Sequence, residues 1–307
     1  VARRHTHRSF EREVHRVEAF RRVLDGARAT RGVALMGVCN VTPDSFSDGG
    51  RYLAPEAARA RVDELLAEGA DVIDIGGEST RPGAAEVAAR EQLARVIDAI
   101  RHAVSRGACV SIDTASPDVA VGALDAGACV VNDASCLRQP ELASSVARAG
   151  AALVLMHTRG TPAEMAGYSR YPHGGYADVV ADVCGEWEAA ATRARALGVP
   201  PEGVMMDPGL GFAKNARQSL ELLARLREVV ARVGAPVAIG ASRKSFLASV
   251  DEGAAPRERL GASIAAAMHA ARSGVAMVRV HDVRATRQAL DLERHLLEMN
   301  AISRAVH

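Results

Sequence analysis

Lysine is almost missing from this chain: among 38 Lys+Arg only Lys214 and Lys244 are lysines. The skew reflects a general bias toward arginine and says nothing about fold. It does single out two positions, because Lys is a compact charge on a flexible stem where Arg is a planar fork. Aromatics are scarce, at 3% of 307 residues, so the core has to be built from Ala, Val, Leu and Ile. There is no excess of one charge: 38 cations face 37 anions, which excludes a nucleic-acid partner bound through bulk charge. No apolar run approaches the roughly 18–20 residues that span a bilayer. The longest, Ala151–Met156 and Ile264–Ala271, are far shorter, and no apolar stretch follows the N-terminal arginines as it would in a secretory signal. Neither a membrane partner nor export is expected. The five cysteines include no C-x-x-C pair; this usage points to the cytoplasm, with neither a disulfide framework nor a zinc site.

What is present has a clear grammar. Residues 1–31 are arginine-rich, with Phe10, Val14, Val17, Phe20 and Leu24 at helical spacing, which predicts an amphipathic helical extension packed on the main domain. From Gly32 the chain alternates short β-rich runs with Ala/Leu/Arg/Glu-rich helical stretches. The runs are Val33–Val38, Asp71–Ile75, Cys109–Ile112, Cys129–Val131, Ala152–Met156, Val204–Met206, Val237–Ile239 and Val275–Val280. Near-continuous apolar strands alternating with helices predict a parallel sheet covered by helices. Eight units over residues 32–300 fit a (β/α)8 TIM barrel, followed by a tail at 301–307. A doubly wound sheet is the alternative, but the first turn lacks the G-x-G-x-x-G of a dinucleotide site.

In such a barrel the site lies at the C-terminal strand ends, and every predicted strand delivers polar residues there. Asp113, Asn132 and Asp207 present acceptors and one amide, which suits a flat heterocycle rich in N–H groups, such as an amino-pyrimidinone. Asn40, Arg279 and His281 come from the first and last strands, neighbours in a closed barrel, and suit a phosphate-like anion. An Asn beside phosphate oxygens can also hold Mg²⁺, which takes few protein ligands. Arg81, Ser242 and Lys244 remain for a second, anionic substrate. No nucleophile elbow or zinc-ligand triad accompanies them.

The run Asn40-Val41-Thr42-Pro43-Asp44-Ser45-Phe46-Ser47-Asp48-Gly49-Gly50 resembles the first signature of the dihydropteroate synthases, and Asp74-Ile75-Gly76-Gly77-Glu78-Ser79-Thr80-Arg81-Pro82-Gly83 the second. Ser111–Thr114, Val131–Asp133, Met156-His157, Asp207–Phe212, Ser242–Phe246 and Arg279–Val283 follow in that family's order. The resemblance implies a pterin-binding barrel that condenses 6-hydroxymethyl-7,8-dihydropterin diphosphate with p-aminobenzoate, with Mg²⁺ as ion, in folate biosynthesis, as a sulfonamide target and a homodimer through residues 257–298. It also implies roles. Asp113, Asn132, Met156, Asp207 and Lys244 look like pterin contacts, and Asn40, Arg279 and His281 like the diphosphate corner, with Asn40 toward the metal. Thr80, Arg81, Phe212, Ser242 and Lys244 look like the aminobenzoate surroundings. Asp113, Lys244, Arg279 and His281 would carry the chemistry, with loops 42–48 and 80–83 closing over it.

Two departures stand out: Ala213 where many members have Gly, and Ala134-Ser135-Cys136 in place of a Gly-rich turn. A closing-loop contact is the only role the sequence offers Lys214. Two rival readings share the barrel: a methyltetrahydrofolate-binding corrinoid methyltransferase, and a pterin-binding paralogue without catalysis. The first is not expected to carry both the Thr42–Gly50 and Ser242–Lys244 motifs, and the intact ends of strands one and eight speak against the second.

Overall fold

The computed structural model describes residues 4–42, 55–79, 87–160 and 175–305, with side chains described only between 16 and 300. Eight strands form one parallel sheet: β1 Ala34–Asn40, β2 Val72–Gly76, β3 Cys109–Asp113, β4 Val130–Asp133, β5 Ala152–Met156, β6 Val204–Asp207, β7 Ala238–Ile239 and β8 Met277–Val280. Their spatial order β6-β5-β4-β3-β2-β1-β8-β7 brings the ends of the sheet together. A bridge between Met206 and Val237 closes β6 onto β7. This is the predicted barrel, each strand within a few residues of its expected run.

The helices are α1 Arg4–Arg31, α2 Pro55–Glu68, α3 Ala89–Ser105, α4 Pro117–Asp125, α5 Pro140–Arg148, α6 Val179–Ala196, α7 Ala216–Ala224, α8 Leu226–Val233, α9 Leu260–Arg272 and α10 Val283–Ala305. The helical stretch between β6 and β7 is interrupted at Arg225, which ends α7 and begins α8. Arg225 there gathers Asp178, Glu221 and Glu228 as ion-pair partners. The stretch from Pro256 starts as a 3₁₀ turn before α9. Helix α10 continues unbroken past residue 300.

The two-residue period of a strand sorts side chains between two cores. Leu35, Ile73, Ile75, Val110, Ile112, Val131, Leu153 and Leu155 face outward into the main core with the helices. Ala34, Met36, Val72, Val130, Ala152, Val154, Met205, Ala238 and Met277 face the barrel interior. The inner cluster is completed by Val17, Phe20, Leu24 and Ala27 of α1, so the N-terminal helix stoppers the end of the barrel where the strands begin. Arg16 fastens it by donating to Ala149 O and Leu124 O at 3.0 and 3.1 Å, carbonyls at the C-terminal ends of α5 and α4. The five cysteines are free thiols; those of Cys109 and Cys129 face each other at the start of β3 and β4, with sulfurs 2.8 Å apart.

Phe20 is buried in that stopper. Phe20→Ala is expected to lower unfolding stability by about 3 kcal/mol, read as a shift in the urea midpoint with far-ultraviolet circular dichroism.

Candidate active site

The inward parity that carries Met36 and Val72 at the bottom of the barrel carries polar side chains at the top. Asn40, Gly76, Asp113 and Asn132 stand in register on β1 to β4, and Met156 is level with Asp207 across β5 and β6. They open into a cavity of about 1140 Å³ lined by Asn40, Asp113, Asn132, Met156, Asp207, Phe212, Ser242, Lys244, Arg279 and His281. Ten of the twelve predicted site residues therefore share one mouth. Thr80 and Arg81 lie outside the described residues, as does loop 43–48.

Electrostatics organise the mouth around Arg279. Its Nε donates to Asp74 Oδ2 at 2.6 Å and its Nη2 to Asp113 Oδ2 at 2.8 Å, while Asn132 Nδ2 donates to the same Asp74 oxygen at 3.2 Å. Asp74 is fully buried and was not among the residues predicted for the site. Its signal was a carboxylate in the apolar run Val72-Ile73-Asp74-Ile75, on the parity that faces the interior. One oxygen each of Asp74 and Asp113 has no hydrogen-bond partner among the described residues. Buried carboxylate oxygens normally find one, so these two are polar atoms that the barrel interior leaves unsatisfied.

Burial pushes the Asp113 carboxyl up to about 7, against the pull of Arg279. Burial also raises Asp207, which Lys244 and the Gly209 amide (2.7 Å from Oδ1) hold down. Lys244 is pulled down to about 8 by burial, with Asp207 opposing. Its Nζ donates to Leu210 O at 2.6 Å and stands 4.6 Å from the centre of the Phe212 ring. His281 is pulled down to about 3 by burial and by Arg279, so it is neutral at physiological pH. Its Nδ1 lies 3.0 Å from Ser242 Oγ, which also accepts the His281 amide at 3.2 Å. With the Ser242 hydroxyl donating to Nδ1, the hydrogen of the ring resides on Nε2, ready to donate to an anion.

The loops are held by specific devices. Glu78 accepts from Val87 N at 2.8 Å and Gln92 Nε2 at 3.1 Å, pinning the base of the loop after β2 to α3. After β4, Cys136 and Leu137 adopt φ of 60° and 57°, and after β6 Ala213 adopts 49°. These are left-handed positions that glycine occupies without strain, at the two places where the sequence departs from the family. Asp133 compensates at the first by accepting from Ser135 N at 2.8 Å and Leu137 N at 2.6 Å. Lys214 is fully buried beneath the β6–α7 loop; the closing loops that the sequence offered it as a contact lie outside the described residues.

An amide oxygen at Asn40, beside a phosphate-binding corner, is a hard donor of the kind Mg²⁺ accepts alongside waters and substrate phosphates. No cluster of three His, Cys, Asp or Glu side chains able to hold a metal occurs among the described residues. Asn40 as one ligand beside the substrate's own oxygens is thus the arrangement the donor set fits.

Fold and site together define a (β/α)8 barrel with a polar, charged mouth at the C-terminal ends of its strands. The sequence matches the family described as pterin binding enzyme over residues 36–281. It is 46% identical over 264 residues to the dihydropteroate synthase of Mycobacterium leprae, covering 84% of this chain and 91% of that one. Among solved structures, Xanthomonas albilineans dihydropteroate synthase with 4-aminobenzoic acid superposes with a TM-score of 0.79 at 40% identity, covering 86% of this chain and 93% of the other. The same enzyme with 7,8-dihydropteroate gives 0.76 at 38% identity, covering 86% and 94%. The chain belongs to the pterin-binding enzyme family, among its dihydropteroate synthases.

Because the folded-state pKa of Asp113 is raised from 3.8 to about 7, its contribution to stability is fully present below the unfolded value and is lost as pH rises through the folded one. Asp113→Asn removes that loss. The variant's stability relative to wild type is therefore expected to improve as pH rises from about 4 to about 7, measured as the difference in urea midpoints at each pH.

Proposed function

We propose that this protein joins 6-hydroxymethyl-7,8-dihydropterin diphosphate to p-aminobenzoate, giving 7,8-dihydropteroate and diphosphate. The observation that carries the reading is the convergence of Asp113, Asn132 and Asp207 with Arg279, His281 and Lys244 in one mouth. Asp207 accepts the parallel N–H groups of the pterin's guanidine-like edge, Asn132 and Asp113 take further ring hydrogens, Lys244 donates to a ring acceptor, and Met156 walls the ring. Asn40, Arg279 and His281 face the diphosphate: Arg279 as a fixed cation, His281 as a neutral donor. Asn40 would hold Mg²⁺, which when bound would supply charge neutralisation for the leaving group.

Loss of diphosphate from the pterin methylene leaves a cation spread over the dihydropterin ring. The Asp113 carboxylate stabilises it electrostatically, and ligand hydrogen bonds to the carboxylate favour the charged form. The aromatic amine then attacks the methylene carbon and releases its proton. The amine's substrate sits by Phe212, Ser242 and Lys244, with Thr80 and Arg81 completing its surroundings. No nucleophile is required, in keeping with the residues of the mouth.

The rest of the reading follows the same line. The barrel 32–300, an N-terminal extension 1–31 and a tail 301–307 form the working unit, in the cytoplasm, as a homodimer through residues 257–298. Leu292, Leu296, Leu297 and Met299 of α10 are exposed, and this apolar face is what supports the dimer.

Purified protein with both substrates and Mg²⁺ is expected to yield dihydropteroate, detected by chromatography; no product with ample enzyme would refute the assignment. Within that assay Lys244→Arg is expected to lower kcat/KM by about tenfold or more, because the fork does not fit a point-charge site. Asp113→Asn is expected to lower kcat by about a hundredfold. Equilibrium sedimentation at micromolar concentration is expected to report a dimer; a monomer alone would reject the α10 interface.

A further inference from the structure

Lys214 is one of the two lysines in the chain, and neither the fold nor the proposed chemistry has yet used it. It is fully buried, and burial pulls its pKa down to about 7. Its Nζ stands 3.1 Å from Gly209 O, 3.0 Å from Phe212 O and 2.9 Å from His157 Nδ1. His157 O lies near as well, at 3.4 Å, so the three donors of an ammonium are shared among four acceptors. With Nδ1 accepting, His157 Nε2–H donates to Glu186 at 3.0 Å, and Glu186 is held in turn by Arg159.

The carbonyls of the β6–α7 loop are shared among side-chain donors. Lys214 takes Gly209 and Phe212 from below, Lys244 takes Leu210, and Tyr176 Oη donates to Ala213 O at 3.0 Å. The loop needs this grip. Ala213 sits in a strained left-handed conformation. Gly209, at φ 69°, presses so closely on β5 that a Cβ there would lie 2.0 Å from His157 O. The same loop presents Phe212 to the mouth and carries the carbonyl that anchors Lys244.

We propose that Lys214 is a positioning residue: by clamping Gly209 O and Phe212 O to His157, it fixes the turn that presents Phe212 to the second-substrate side of the mouth. A buried ammonium whose contacts are carbonyls and an imidazole, with no carboxylate among them, costs the fold stability, so its place is explained by the loop it orders. Arg is too large for a pocket already filled by two carbonyls and an imidazole.

The test compares wild type with Lys214→Met, which keeps the length and removes the donors, and Lys214→Gln, which restores two N–H groups. Amide hydrogen exchange over residues 209–213 is expected to speed about tenfold in Lys214→Met and less in Lys214→Gln, with β4 and β5 unchanged. This arm needs no substrate and decides the clamp by itself; unchanged exchange in the loop, or acceleration spread over the whole barrel, would overturn it. The kinetic arm rests on the function proposed above. There the KM for p-aminobenzoate is expected to rise about tenfold in Lys214→Met, while kcat and the KM for the pterin diphosphate move less than about threefold. An equal loss for both substrates would overturn the positioning role. A wild-type enzyme that makes no product would refute the assigned reaction, and the exchange rates alone would then decide for or against the clamp.

Discussion

Three carboxylates, Asp74, Asp113 and Asp207, are drawn into the top of a barrel whose lower interior is Ala, Val and Met. Charges in such a place persist only when paired and hydrogen-bonded, and the pairing comes from across the barrel. Arg279 on β8 reaches Asp74 on β2 and Asp113 on β3, tying the strands on one side of the mouth together. The remaining geometry depends on this bridge. It leaves one buried oxygen on each of these two carboxylates without a partner among the described residues. Removing Arg279 would strand two buried anions, which is far more costly than losing a surface ion pair.

The fold was legible because its grammar is local. Each β-run is a few apolar residues long, and each is followed by a polar strand end and a helix. The turn glycines fall where the chain must reverse, as at Gly127, whose φ is 110°. Strand parity was enough to put Asn40, Asp113, Asn132, Asp207 and Arg279 on one rim. Parity also held the signal for Asp74, but that residue sits inside a strand and not at the end, where polar side chains announce a site. The break at Arg225 was not legible, since nothing in Leu223–Leu226 is hostile to a helix; ion pairs from α6, α7 and α8 decide it. Nor could Lys214 be placed from sequence. Its partners are carbonyl oxygens and an imidazole 57 residues away, and backbone acceptors leave no trace in composition.

The two departures from the family's glycines show a common solution. At Cys136 and Leu137 the left-handed backbone is held by the Asp133 carboxylate, and at Ala213 by the Tyr176 hydroxyl. Strain of this kind persists only where the surroundings over-determine it. Both turns directly follow strands that feed the mouth, β4 with Asn132 and β6 with Asp207. Rigidity there is useful, because a displaced acceptor at either place would spoil recognition of a planar ring.

The stopper formed by α1 has a consequence for traffic. A tube plugged at one end by Phe20 and its neighbours is a blind well, and everything that enters or leaves passes the same rim. In a well the order of arrival is set by depth. A molecule seated against Asp113 at the strand ends must descend before one that rests beside Phe212 in the loop above. The compound made from the two must back out along the path by which the second came in.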